Sequence, residues 1–400
     1  MLRPACDLVP MRLLNALFLA RLPAFGLALL GLVWGAFSVQ LPALMAALDV
    51  GEGVFGLLLM CSAPGLVAAM WLAPLVDRHL GAAARPISLA TLGLALASVG
   101  LATNPVTFGC AMLFMGAASG LWDVLCNADA SELESAHDQP LMNAVHGAYS
   151  AFYAVMALTA GLVRAAGVAP LPIFTATGVL LCIGTVIWMR APSNKLRRNT
   201  AKAQEGPGLH WLPRGAVAFC GLIVCAAFMS EAAVESWSAL YLEQSLGTGA
   251  VGSALGPALL GLTMAVGRFS GQVVIASLGE RRVLWAGAGL AIAGTVLASA
   301  APTVMVAYLG FAVFGLGVSV VGPIGIAMAG RLVLPSQRTG AVGQAAALGF
   351  AGFFVAPILM GGLAEQFGLS VAFASLVLWL AVVPLFDTLA QRRLREPAQG

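Results

Sequence analysis

Charge is what this chain has least of. Its 400 residues include 20 Lys+Arg and 17 Asp+Glu, or 9% of the total, where a soluble domain has about a quarter. So few charges cannot cover a water-soluble globule of this length, which excludes a soluble enzyme and a disordered protein alike. A net charge of +3 without a clustered basic face excludes a nucleic-acid reader. Catalytic signatures are missing too: there is no Gly-x4-Gly-Lys-Ser/Thr phosphate loop, no nucleophile elbow and no His/Cys metal spacing. The seven cysteines (Cys6, Cys61, Cys110, Cys126, Cys182, Cys220 and Cys225) form no CxxC. Six lie in apolar runs, where packing rather than a disulfide is expected. No metal, cofactor or enzymatic activity is therefore expected.

What is present is apolar: 60% hydrophobic residues and a mean hydropathy of +0.94. A helix needs about 20 apolar residues to cross a bilayer. The sequence offers twelve such runs, near 22–48, 54–76, 86–103, 106–128, 141–165, 170–190, 214–241, 250–277, 283–301, 303–329, 339–364 and 370–390. A transmembrane barrel would need sustained alternation in short strands, which is absent. Met1–Ala20 reads as a retained cytoplasmic lead-in, because Arg21 falls where a signal peptide needs small residues.

The basic residues orient this count. With the N-terminus inside, the inner set holds Arg3, Arg12, Arg21, Arg78 and Arg85, then Arg190, Lys195, Arg197, Arg198, Lys202 and Arg214. Arg268, Arg281, Arg282, Arg331, Arg338, Arg392, Arg393 and Arg395 complete it. Only Arg164 falls outside, so 19 of 20 obey the positive-inside bias, with both termini cytoplasmic. Residues 191–213 form the only long polar connector and separate a six-span bundle, 1–190, from a second, 214–400. Two such repeats place a pathway between them near the midplane.

After the second span comes Asp77-Arg78-His79-Leu80-Gly81, followed by Arg85. This turn resembles the signature loop of the major facilitator superfamily, in which the acid holds a gating state by pairing at a helix end. The corresponding stretch of the second half reads Gly267-Arg268-Phe269-Ser270-Gly271, then Ser277-Leu278-Gly279-Glu280-Arg281-Arg282. It lacks an Asp-Arg pair before Gly279, so an asymmetric gate built on Asp77, Arg78 and Arg268 is expected. The resemblance implies an all-α membrane protein of twelve transmembrane helices in two pseudo-symmetric six-helix bundles.

The fourth and fifth spans hold Gly120-Leu121-Trp122-Asp123-Val124-Leu125-Cys126-Asn127 and Leu141-Met142-Asn143-Ala144-Val145-His146-Gly147-Ala148-Tyr149-Ser150. Asp123 shares a helix face with Asn127, and His146 with Ser150. A carboxyl in an apolar helix needs an aqueous cavity or a proton, and lower polarity favours its neutral form. The stretch resembles the fucose permease-like branch of the superfamily, which implies proton coupling at Asp123 and a polar role for His146. Ser230-Glu231-Ala232-Ala233-Val234-Glu235-Ser236-Trp237-Ser238 is similar to a seventh-span pattern of bacterial members. The first span offers Trp34, Ser38 and Gln40 but no acid, a departure from sugar binding in the manner of that branch. The fourth span lacks Arg and the fifth lacks Pro, a departure from drug exporters. Pro357, Gly361 and Gly362 in the eleventh span read as bending and close-packing residues.

Glu231 and Glu235 lie one turn apart, so one of them needs a proton or a cation. With Asp123 and His146 they form the expected proton-coupling set, in which His146 passes a proton to Asp123 or serves as a packing histidine. Gln40, Asn127, Asn143, Tyr149, Tyr153 and Trp237 are the expected solute ligands. Arg164 either clamps an anionic solute, neutralises one of the two glutamates, or snorkels to the interface. The reading is a monomeric secondary transporter in a bacterial inner membrane, importing a small polar solute, a sugar or related metabolite, with protons by alternating access. The alternatives are a proton-coupled exporter of drugs or metabolites, and a non-transporting sensor or scaffold with the same fold.

Overall fold

In the computed structural model, which describes residues 13–190, 215–334 and 337–395, the apolar runs become helices and no strand occurs among the described residues. The first half comprises α1 (Arg21–Leu48), α2 (Glu52–Met60 continued by Ser62–Leu80), α3 (Ala84–Gly100), α4 (Pro105–His137), α5 (Met142–Ala165) and α6 (Pro170–Arg190). The second comprises α7 (Ala216–Gln244), α8 (Ala250–Leu278), α9 (Glu280–Ser299), α10 (Val304–Arg331), α11 (Arg338–Phe367) and α12 (Leu369–Arg395). Among the described residues, eleven helical stretches are long and apolar enough to cross a membrane, and the 49-residue stretch Glu52–Gly100 spans two of the twelve expected runs. The expected connector 191–213 and the basic residues within it lie outside the described residues.

Local chemistry sets the breaks. Pro64 has no N–H to give the Met60 carbonyl, and its ring crowds that carbonyl; α2 is interrupted at Cys61. Gly81, with φ +54°, reverses the chain into α3, a conformation in which a Cβ is strained. Asn104 caps α4 by accepting from the Thr107 N–H at 3.0 Å, with Pro105 in the first turn.

The α4 helix runs to His137, past the expected end near residue 128. Its acidic last turns extend beyond the apolar run, where Asp129 and Glu134 find partners on neighbouring elements. Glu134 Oε1 accepts the N–H groups of Leu141 at 2.5 Å and Met142 at 2.8 Å, capping the start of α5.

Packing repeats between the halves. The pairs α1–α5, α2–α4 and α3–α6 recur six helices later as α7–α11, α8–α10 and α9–α12. Across the divide α5 packs on α8, and the first segment of α2 packs on α11; the same six-helix offset relates these two contacts. The second segment of α2 packs on α4 instead. Gly31 and Gly35 of α1 lie against the carbonyls of Tyr149 and Tyr153, where a Cβ has no room. That close approach positions the aromatic face of α5.

Candidate transport site

Two ends can be told apart by charge. At the basic end, Arg85 at the start of α3 is buried, 3% exposed, and pairs with Asp77 of α2 and, at 2.6 Å, with Asp129 of α4. Its Nε also donates to Asp129 at 3.1 Å. Arg78 is exposed, so the clasp expected of Asp77 and Arg78 is made by Asp77 and Arg85. The second half ties the same end differently. Asp387 of α12 accepts from Arg281 at 2.8 Å, Trp285 at 2.9 Å and Gln391 at 3.0 Å, and Glu280 pairs with Arg331. The expected asymmetry thus takes the form of one three-helix clasp facing two separate links.

At the opposite end Arg164 of α5 reaches Glu243 of α7 through two bonds, 2.7 and 2.6 Å, and donates to the Val39 carbonyl of α1 at 3.3 Å. Its partner is therefore neither Glu231 nor Glu235. This link crosses between halves. Nearby, Gly56 of α2 lies against the Pro357 carbonyl of α11, and Gly361 against the Glu52 carbonyl. Pro357 and Gly361 thus belong to a tight contact between halves, while Gly362 faces open space.

Between the two ends, Arg268 stands inside α8, ten residues short of the helix end, and only 8% exposed. It is therefore not part of the cytoplasmic gate expected of it; the length of α8 lets an arginine sit in the interior once partners are supplied. Its guanidinium bonds Glu231 of α7 at 2.9 Å and Ser150 of α5 at 2.5 Å, and its Nε has no partner. Ser150 donates to the His146 carbonyl at 3.2 Å. His146 Nε2 meets Asn127 Oδ1 at 3.1 Å, and the Asn127 amide donates to the Asp123 carbonyl at 3.0 Å. His146 therefore contacts Asn127 and not Asp123. The result is a polar line from α4 through α5 to α8 and α7.

Around that line Asp123, Asn127, Asn143, His146, Tyr149 and Glu235 keep partial exposure. Asn143 and Arg268 share a small pocket with Ser319 of α10. Gln40, Tyr153 and Trp237 are buried, and the Gln40 amide, Tyr153 hydroxyl and Trp237 indole nitrogen lack partners. Buried polar groups without partners are costly, so these mark a region sealed in this state and not yet paired. Asp129, Glu243 and the central role of Arg85 escaped sequence reasoning, which leaves Asp387 as an unexplained acid near the end of the twelfth span without its partners. Each pairs over a separation of 44 to 106 residues or at a helix end, and no local spacing signals it, Asp77–Arg85 excepted.

Two six-helix bundles of one packing scheme, meeting along a polar seam in an apolar chain, define the secondary-transporter class of membrane protein. The family model described as Major Facilitator Superfamily matches residues 24–278, and the chain belongs to that superfamily, a family of transporters and not of enzymes. An uncharacterized MFS-type transporter of Yersinia pestis is 32% identical over 355 residues, 88% of this chain and 91% of its own length. The membrane protein MosC of Rhizobium meliloti is 29% identical over 86% of this chain and 84% of its own length. Among solved structures, a point mutant of the nucleoside transporter NupG superposes with a TM-score of 0.72 at 15% identity, covering 93% of this chain and 99% of its own. A bacterial homolog to human lysosomal transporter Spinster, inward-facing and occupied, gives 0.71 at 14% identity over 95% and 98% of the two chains. At such identities these likenesses speak for the fold alone.

Proposed function

We propose that this transporter imports a small polar solute together with protons across a bacterial inner membrane, as a monomer with both termini in the cytoplasm. The observation that carries the reading is the polar line from the Asp123 main-chain carbonyl to the Glu231 carboxylate, crossing between halves at Ser150–Arg268. A buried charge pair is held only while both partners keep their charge, so a proton on Glu231 releases Arg268 and with it the bond to the other half. The Asp123 carboxyl, partly exposed beside this line, is the second proton carrier. The exposed acids and bases at either end have no such path between them.

The cycle follows from which contacts are closed. Arg164–Glu243 and the α2–α11 contact lock the end opposite the arginine-rich one, while the second segment of α2 stays with α4. With the basic end in the cytoplasm, these contacts close the outer end. Protonation from outside, solute binding between halves, closure of the outer lock and proton release inward complete one turn. The fourth-span motif that resembles the fucose permease-like branch supports proton coupling at Asp123, and the missing first-span acid argues for a solute held differently from fucose.

The test is Asp123→Asn in proteoliposomes. Gradient-driven uptake is lost while counterflow of the same solute survives. Intact gradient-driven uptake with normal counterflow would overturn the coupling.

A further inference from the structure

The halves share one packing scheme, so their basic ends can be matched residue by residue. The Gly81 N–H closes the end of α2 on the Asp77 carbonyl, and the Gly279 N–H closes α8 on the Ile275 carbonyl. Ile275 thus stands where Asp77 does. Arg85 is the second residue of α3, and Arg281 is the second residue of α9. A Cβ on Gly116 of α4 would strike the Ser62 carbonyl, and one on Gly315 of α10 the Leu260 carbonyl. Ser62 and Leu260 each lie nineteen residues before the closing glycine, so these two contacts are one crossing repeated. Thirteen residues beyond it stand Asp129 on α4 and Met328 on α10. The second half has kept the arginine of the clasp and carries apolar side chains in place of both its carboxylates.

Arg281 is nevertheless fixed. Its Nε donates to Asp387 at 2.8 Å, and its guanidinium lies over the Trp285 ring, 4.9 Å from the centroid. Asp387 is fully buried, and both its oxygens are engaged, by Arg281, Trp285 and Gln391. Arg85 shows that an arginine in this position holds two carboxylates; Arg281 holds one, and its Nη groups have no partner among the described residues. Arg331 answers Glu280 through one Nη and is half-exposed. Arg281 and Arg331 line one cavity of about 240 Å³, together with Met328 and Gln391. That is below the roughly 300–1,000 Å³ of pockets for whole drug-sized ligands and leaves room for one tetrahedral oxyanion. We propose that this cavity binds a phosphate group, which supplies the anion that Ile275 and Met328 do not. Guanidinium edges from two helices match the several acceptor oxygens of a phosphate. Beside them Leu278 and Trp285 are exposed apolar side chains, surface that acyl chains cover in a membrane, so a phospholipid headgroup is one source of the phosphate. A soluble phosphate is the other.

Thermal unfolding of the full-length chain, purified in a neutral detergent and stripped of lipid, reads the site. One arm adds phosphatidylglycerol or diacylglycerol with the same acyl chains; the other adds inorganic phosphate or acetate at equal ionic strength. Phosphatidylglycerol is expected to raise Tm where diacylglycerol does not, which assigns the phosphate to a lipid. A rise with inorganic phosphate alone, absent with acetate, upholds the site and assigns it to a soluble phosphate. In either arm Arg281→Gln and Arg331→Gln each weaken the response about tenfold, the loss of one hydrogen bond between charged groups. Arg78→Gln, an exposed arginine at the same end, leaves it unchanged. If Arg281→Gln does not fold, Met328→Asp replaces it: this variant restores the acid of the first half and is expected to abolish the response by occupying the site from within. The proposal is overturned if neither phosphate probe raises Tm, if diacylglycerol or acetate does so equally, or if the response persists in Arg331→Gln together with either of the other two variants.

Discussion

Two arginines join the halves, and they do so in opposite ways. Arg164 directs its charge across the divide, to Glu243, and offers its own half only a bond to a carbonyl. Arg268 directs its charge within its own half, to Glu231, and sends across only a hydrogen bond to Ser150. The Arg164 pair sits near the rim, with side chains 13% and 28% exposed; the Arg268 pair is at 8% and 9%. The rim link can therefore break and rehydrate at low cost, as a lock must. Breaking the interior link leaves buried charges uncompensated, which is costly.

That contrast is breakable by mutation. The largest effect is expected from Arg268→Ala, which strands Glu231 and costs about 3–5 kcal/mol of stability, read as a fall in Tm in detergent, together with loss of uptake. Arg268→Leu combined with Glu231→Leu is expected to recover most of the stability and none of the uptake; equal damage from single and double variants would deny the pairing its role. Next, Ser150→Ala removes a hydrogen bond to a charged donor, about 1.5–3 kcal/mol, and should lower uptake more than it lowers Tm. Glu243→Gln should cost about 1 kcal/mol and act on the conformational balance: thiol labelling of a Gln40→Cys background rises about fivefold, the equivalent shift in population. An unchanged labelling rate would remove the lock. Smallest is Glu280→Gln, whose partner Arg331 is 49% exposed; uptake and Tm should stay within error of wild type.

The span pattern is legible in the sequence because crossing a bilayer imposes a length and a composition on every helix, and the observed helices follow the expected runs closely from α5 to α8. The Asn127–His146 neighbourhood is legible as well, since helical spacing puts each on a polar face. The pairings are not. Arg268 misleads because the charge count assigns it to the inner side although the run 250–277 contains it, and only Glu231 and Ser150, 37 and 118 residues away, reveal it as interior. Arg164 stands out as the odd cation, but which acid it meets depends on which part of α7 faces the end of α5 across the divide. Asp129 escapes notice because the apolar run ends before the helix that carries it.

That overlong α4 has a mechanical meaning. Asp123 and Asp129 are six residues apart on one unbroken helix, about 9 Å along its axis. A rod of this kind ties the position of Asp123 to that of the Arg85 clasp, and to Glu134 where α5 begins. Asp123 and the partner of the Arg85 clasp are then two points on one rigid element, and a glycine pair inserted between them would loosen that tie without touching either end.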